Sequence, residues 1–424
     1  MSLKKKITSG IIAVSLTVAS VFTMSGCSQS VSRAMTVNGK DISAGLYILY
    51  SGYAYADATQ KFSEEQPDVD ISAEEFDYYN QTVDGIPFAD YVKRETENYC
   101  KRHVAANEVF DSLEIEMSEE NKNFIEEAYQ AQWNYDVSSY NTSSAFSYLK
   151  GKNTLGEFFE SIGVSGTSFK EHLTNSYITS EIFEHYYGEG GIEEVPMDDI
   201  RKWVDDNYAL TRYFSISLND SEGNLITDEA ELKKLEELAN EYKNMLSDGN
   251  SFAETYDAYQ KYLSDKSEEE TGAAEEETEA ADDSAAEELR DDNEYNSLIA
   301  KTATAPSEEF VEALFKQKKN TTEVFKADAY YYVVQKLDVL ETEGAEGENA
   351  VDYVSNYKQT ALQELKSDDF ENMFKDKYAS YSCEVNTNAP DYAKEQAVNA
   401  LNGLTTITQI QYQNYYSQMF SMGG

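Results

Sequence analysis

The spacing of apolar positions divides the chain into stretches of different period. Ile11 to Phe22 is apolar and small throughout, about one signal-peptide h-region in length and too short to remain as a transmembrane helix. Asn38-Gly39 then sits between two short β-prone pieces, Met35 to Val37 and Lys40 to Ile42, which predicts a tight hairpin. Ser43 is placed to cap a helix in which Leu46, Tyr47, Leu49, Tyr50 and Tyr53 recur at helical spacing. Residues 74–110, 119–133 and 167–187 carry the same period, with Ser118 and Thr167-Ser168 as caps of the last two. Pro196 opens a shorter helix from Met197 to Tyr208, so 34–207 reads as a mainly helical region with a hairpin at its entrance.

The period becomes two at Arg212 to Leu218, a half-buried strand. Asp228 to Asp248 follows as a helix with Leu232, Leu235, Leu238, Ala239, Tyr242 and Leu246 on one stripe; Gly249 ends it, and Ser251 begins a second short helix. Between Ser264 and Glu294 stand fifteen acidic and two basic residues, which predicts a solvated, disordered insert. Its acids lack the spaced Asx-Gly pattern of a calcium loop. Phe310 to Phe315 gives a helical turn, and Glu323 to Leu340 two strands, the clearer at Tyr330 to Val334. Val351 to Tyr378 predicts a long helix whose stripe starts at Tyr353, Tyr357, Ala361 and Leu365 and then shifts to Phe370, Phe374 and Tyr378. Such a face needs a partner surface. The tail after Glu395 is uncharged, and its Gln, Tyr and Asn content predicts weak order or a sticky contact segment. The expected fold is therefore mainly α with a small α+β domain. Residues 34–207 and the returning helix at 351–395 form one discontinuous lobe, 208–340 is inserted into it, and 396–424 is a tail.

Charge removes several function classes. The 424 residues carry a formal charge of −45, so nucleic acid is excluded as a partner and an anionic membrane face would repel the body. Tyrosine is abundant, at 33 against 19 Phe and 2 Trp, which suits adaptable contact surfaces as well as cores. Five prolines and 21 glycines are few for an all-β chain of this size. Cys100 and Cys383 show no metal-ligand spacing and are either one disulfide or two buried thiols. His103, His172 and His185 stand outside any Ser-His-Asp, Cys-His or HExxH arrangement. No glycine-rich phosphate loop is present, so neither nucleotide, cofactor nor metal is expected.

The start of the chain adds an address. Lys4 to Lys6 precede the apolar run, and Met24-Ser25-Gly26-Cys27 resembles the lipobox of bacterial lipoproteins, with Met where Leu is usual. The resemblance implies that 1–26 is a signal peptide, that Cys27 is diacylated after cleavage, and that 27–33 is a tether to the outer face of the cell membrane. Two acyl chains suffice for stable anchoring.

Further motifs fall in a recognisable order. Val37-Asn38-Gly39-Lys40-Asp41-Ile42-Ser43 resembles the V-N-G-x-x-I-S opening of the PrsA-type foldase lipoproteins of Gram-positive bacteria and, more distantly, of SurA-type chaperones. The middle is similar to parvulin peptidyl-prolyl isomerases. Arg212-Tyr213-Phe214-Ser215 stands where that family has R-H-I-L, Leu246 to Ala253 resembles L-x-x-G-x-x-F-A, Phe310 to Phe315 resembles F-x-x-A-x-F, and Tyr330 to Val334 stands where the family has G-Y-H-I-I. Val351 to Val385 resembles the helix that returns to the chaperone region. A parvulin site is thought to use two histidines, a Cys or Asp and apolar walls to hold an X-Pro bond while amide resonance, a barrier of roughly 18–20 kcal/mol, is lost. Here the histidine positions read Tyr213 and Tyr332, and the acidic run replaces the family's G-G-x-L-G stretch.

The resemblance implies a membrane-tethered extracytoplasmic chaperone that binds unfolded, newly exported proteins, with Tyr47, Tyr50 and Tyr53 as candidate client contacts, and the departures at Tyr213, Tyr332 and the acidic run point to an inactive parvulin-like domain. An active prolyl isomerase is the alternative reading. A solute-binding or purely structural envelope lipoprotein is a further one.

Overall fold

The computed structural model describes residues 33–71, 76–271, 291–346 and 350–422. In chain order the elements are β1 (Arg33–Val37), β2 (Lys40–Ser43), α1 (Ala44–Glu65), β3 (Thr82–Val83), β4 (Ile86–Pro87), α2 (Phe88–Ser112), α3 (Glu119–Trp133), α4 (Leu155–Ser161) and α5 (Gly166–Tyr187). Then come α6 (Met197–Asn207), β5 (Tyr208–Ser217), α7 (Glu229–Ser247), α8 (Phe252–Thr271), β6 (Ser297–Ala300), α9 (Glu308–Lys316), β7 (Thr321–Ala327) and β8 (Tyr330–Lys336). The chain closes with α10 (Tyr353–Tyr378), β9 (Cys383–Val385) and α11 (Ala389–Met422). The fold is mainly α with small antiparallel sheets. It divides into two compact units, one running to Tyr186 and resuming at Asp368, the other Tyr187–Ser367.

In the first unit Asn38 and Gly39 both take positive φ, 47° and 78°, the geometry that a two-residue hairpin turn needs. This brings Val37 opposite Lys40 in the β1–β2 pair. β9 adds to the other edge of β1, with Val37 opposite Cys383, giving the sheet order β2-β1-β9. The Ser43 hydroxyl accepts from Leu46 N at 3.2 Å and starts α1. Almost the whole circumference of α1 is buried, from Leu46 through Ala54 and Ala58 to Phe62.

The sequence predicts weak order or a sticky contact segment after Glu395, and the structure places Gln396 to Met422 in α11, which lies against α1 and α4. Ala389, Ala393, Ala397, Ala400, Leu404, Ile407 and Ile410 form one buried stripe at helical spacing. Small residues bring the helices together. A Cβ on Gly52 would stand 2.9 Å from Leu401 N, and one on Gly403 2.8 Å from the Phe158 and Phe159 rings.

The helix expected over 74–110 begins only at Phe88. Asp84 and Gly85, with φ of 56° and 74°, turn the chain between β3 and β4, and Pro87 stands at the helix start.

The second unit is built on a four-stranded antiparallel sheet of order β6-β5-β8-β7. Alternation along the strands separates two faces. Phe214, Ile216 and Val333 pack with Ala239, Tyr242 and Leu246 of α7 and with Phe252 and Tyr259 of α8. Ala209, Tyr332 and Val334 pack with Phe310, Val311 and Leu314 of α9. The unit is larger than the expected 208–340 because Val204 of α6 packs with Leu210 and Val339, while Tyr208 meets Tyr357 of α10 at 4.3 Å between ring centroids. The later stripe of α10 serves the first unit, where Phe370 meets Phe183 at 5.1 Å and Arg102 pairs with Glu371.

Both ends of the acidic stretch 264–294, expected as a disordered insert, belong to ordered elements. Residues 264–271 continue α8, and 272–290 lie outside the described residues. At its far end Asp292 accepts from Phe252 N and Ala253 N at 3.1 and 2.9 Å, capping α8, and pairs with Arg212 at 2.8 Å. Those carboxylate oxygens have specific partners, which composition alone does not reveal.

Candidate functional site

Tyr213 and Tyr332 come from neighbouring strands and point to the same face of the sheet, because Ser215, two residues beyond Tyr213, is paired with Tyr332. The third member is Phe310, set by the start of α9, where the Ser307 hydroxyl accepts from Phe310 N at 3.2 Å. Ring centroids lie 4.9 Å apart for Tyr213 and Phe310, 4.7 Å for Phe310 and Tyr332, and 6.2 Å for the two tyrosines. Phe325 and Tyr330 extend the cluster, at 5.4 Å from Phe310 and 5.8 Å from Tyr332. Tyr332 is only 4% exposed.

These are contact distances between aromatic rings, so the space between the two strands and α9 is filled by the chain's own side chains. Burial raises the pKa of both tyrosines, with the Asp328 carboxylate adding to the effect at Tyr332. Both are neutral phenols at pH 7. They can donate a hydrogen bond, but neither supplies a base or a cation of the kind an imidazole offers near neutrality.

The other sequence-derived candidates are placed differently. Cys27 lies outside the described residues. Tyr47 and Tyr50 are 1% and 5% exposed, and Tyr53 is half-buried. Tyr50 Oη is 2.8 Å from His103 Nδ1, and Tyr53 Oη is 3.2 Å from His172 Nε2. The aromatic stripe of α1 therefore lies in core and an internal polar network, where Tyr47 and Tyr50, named from the sequence as candidate client contacts, are buried. Burial raises Tyr53 to about 12 and holds Tyr50 well above its ordinary value, so these hydroxyls keep their protons. Cys100 and Cys383 are free thiols in one hydrophobic cluster with Met35, Val37 and Tyr47. The tyrosine–histidine contacts were invisible at sequence level, because partners 53 and 119 residues apart share no local spacing. Among the described residues no group of three or more His, Cys, Asp or Glu side chains could hold a metal ion. Nor is any described helix long and apolar enough to cross a membrane.

No family model matches the chain, and no curated protein does. Among solved structures, a foldase protein (PrsA) from Lactococcus lactis aligns over 86% of this chain and 98% of its own, at 11% identity and a TM-score of 0.26. PrsA from Streptococcus pneumoniae aligns over 68% and 89%, at 14% identity and a TM-score of 0.19. PrsA from Bacillus subtilis aligns over 74% and 89%, at 13% identity and a TM-score of 0.20.

Proposed function

We propose that this chain is a PrsA-type foldase lipoprotein, held by lipid on Cys27 at the outer face of a Gram-positive-type cell membrane, where it binds unfolded, newly exported proteins. The ordered motifs from Val37 to Val385 behind a lipobox support the family. The strongly negative body supports a holding role, since it keeps the protein soluble and repels other copies of itself while weak apolar contacts engage a client. In this reading the parvulin-like domain has no working isomerase site. The observation that carries this is the ring cluster of Tyr213, Phe310 and Tyr332: a proline ring has no room between groups already in contact, and no imidazole stands beside it. Client contact falls to surfaces other than the buried Tyr47 and Tyr50.

Two assays on the same purified full chain test the proposal. Suppression of aggregation of a denatured model protein is expected, together with no acceleration of proline isomerisation in a protease-coupled assay. Absence of suppression would overturn the chaperone reading. Isomerisation abolished by changing Tyr213 and Tyr332 to Phe would overturn the inactive-site reading instead. In cells, Cys27→Ser should abolish palmitate labelling, and retained label would place the lipid elsewhere.

A further inference from the structure

The second unit contains a cavity of about 390 Å³ at the ends of β5 and β8, beside the C-terminus of α9. That is the size range of small-ligand and peptide-side-chain pockets. Four lysines line it, Lys301, Lys318, Lys319 and Lys336, with Asp205 and Asp206. In a chain of formal charge −45 this is an island of positive charge.

The lysines have different tasks. Lys336 is 8% exposed and donates to Leu314 O and Gln317 O at 2.9 and 3.0 Å, closing the end of α9. Lys319 lies 2.5 Å from Asp205 and 3.0 Å from Asp338, and Asp206 is paired with Lys202, so both cavity acids are engaged. Lys301 and Lys318 remain. Lys301 reaches the main-chain oxygen of Asp206 at 3.3 Å, and neither lysine forms an ion pair among the described residues. Between the charges stands Phe315, with the Lys301 and Lys336 ammonium groups 5.8 and 5.5 Å from its ring centre. Gln317 also lines the cavity, and its Oε1 is buried with no hydrogen-bond partner.

We propose that this cavity binds an acidic side chain of an extended peptide. The carboxylate meets Lys301 and Lys318, and the adjoining apolar side chain lies on Phe315 and Leu210. A lone inorganic anion would satisfy the lysines, but it would leave the apolar wall of Phe315 and Leu210 wet. The assignment rests on the cavity and its lysines and not on the chaperone reading, and its test reads peptide binding rather than suppression of aggregation.

The test is calorimetric titration of the full chain at low salt with a hexapeptide blocked at both ends, carrying one Glu between leucines. Binding is expected, at least tenfold weaker when the peptide's Glu is replaced by Gln. The exposed pair Lys301→Gln and Lys318→Gln, checked for folding by circular dichroism, should weaken it at least tenfold as well. Excess inorganic phosphate should not displace the peptide. Lack of binding, equal affinity for the Gln peptide or equal affinity of the folded double variant would overturn the proposal. Displacement by phosphate would also overturn it, assigning a simple anion site.

Discussion

His172 carries a consequence for stability that its position in the sequence does not announce. Burial, reinforced by the nearby His103, lowers its pKa from 6.5 to about 4, and its Nδ1 is buried without a partner. Between pH 6.5 and 4 the unfolded chain binds a proton there that the folded chain refuses. The stabilisation is complete above the unfolded value and is lost as pH falls through that window, by on the order of 3 kcal/mol. Urea midpoints at pH 7 and pH 4.5 should therefore differ more for the natural chain than for His172→Gln. An equal acid loss in both would assign it to other groups. The same neighbourhood shows where residue-level reading ran out. Tyr47, Tyr50 and Tyr53 were legible as one face of a helix, but a stripe has the same spacing whether it faces a core or a client. Only the position of His103 and His172 across from it decides between them.

Helix-scale packing depends on α1 against α11. Gly52 lies inside α1, where Gly→Ala ordinarily stabilises a helix by roughly 0.5–1 kcal/mol. Here the added Cβ would stand 2.9 Å from Leu401 N and 3.0 Å from Ala400 Cβ, so overpacking should reverse the sign and cost about 1–3 kcal/mol. Equilibrium urea unfolding of Gly52→Ala checks it, and a gain in stability would mean that the two helices do not approach this closely. The α11 stripe shows why local composition misled. Beyond Glu395 its polar positions carry no charge, so that part of the segment lacks the usual contrast between faces, although its small and aliphatic residues keep helical spacing. β9 was illegible for a different reason: three residues acquire strand geometry by pairing with β1, whose partner positions lie some 350 residues earlier in the chain.

At the scale of the whole molecule, net charge dominates. A formal charge of −45 over 424 residues means that like charges repel in the compact state, and added salt screens this. The melting temperature should rise between low and near-physiological ionic strength; a constant or falling value would show that attractive ion pairs such as Arg212–Asp292 outweigh the repulsion. The sequence by itself determined what depends on neighbours along the chain: the Asn38-Gly39 hairpin, the caps at Ser43 and Ser118, and the strand at Tyr330 to Val334. These rest on φ preferences, local hydrogen bonds and side-chain period, all set within a few residues. Tertiary structure alone decided that the α1 tyrosines are core, that α11 orders on Gly52, and that Asp292 of the acidic run caps a helix. It also closed the Tyr213–Tyr332 pair over Phe310 and gathered the lysines at one cavity. Burial and charge pairing are properties of residues distant in sequence, and no local period encodes which of them will meet.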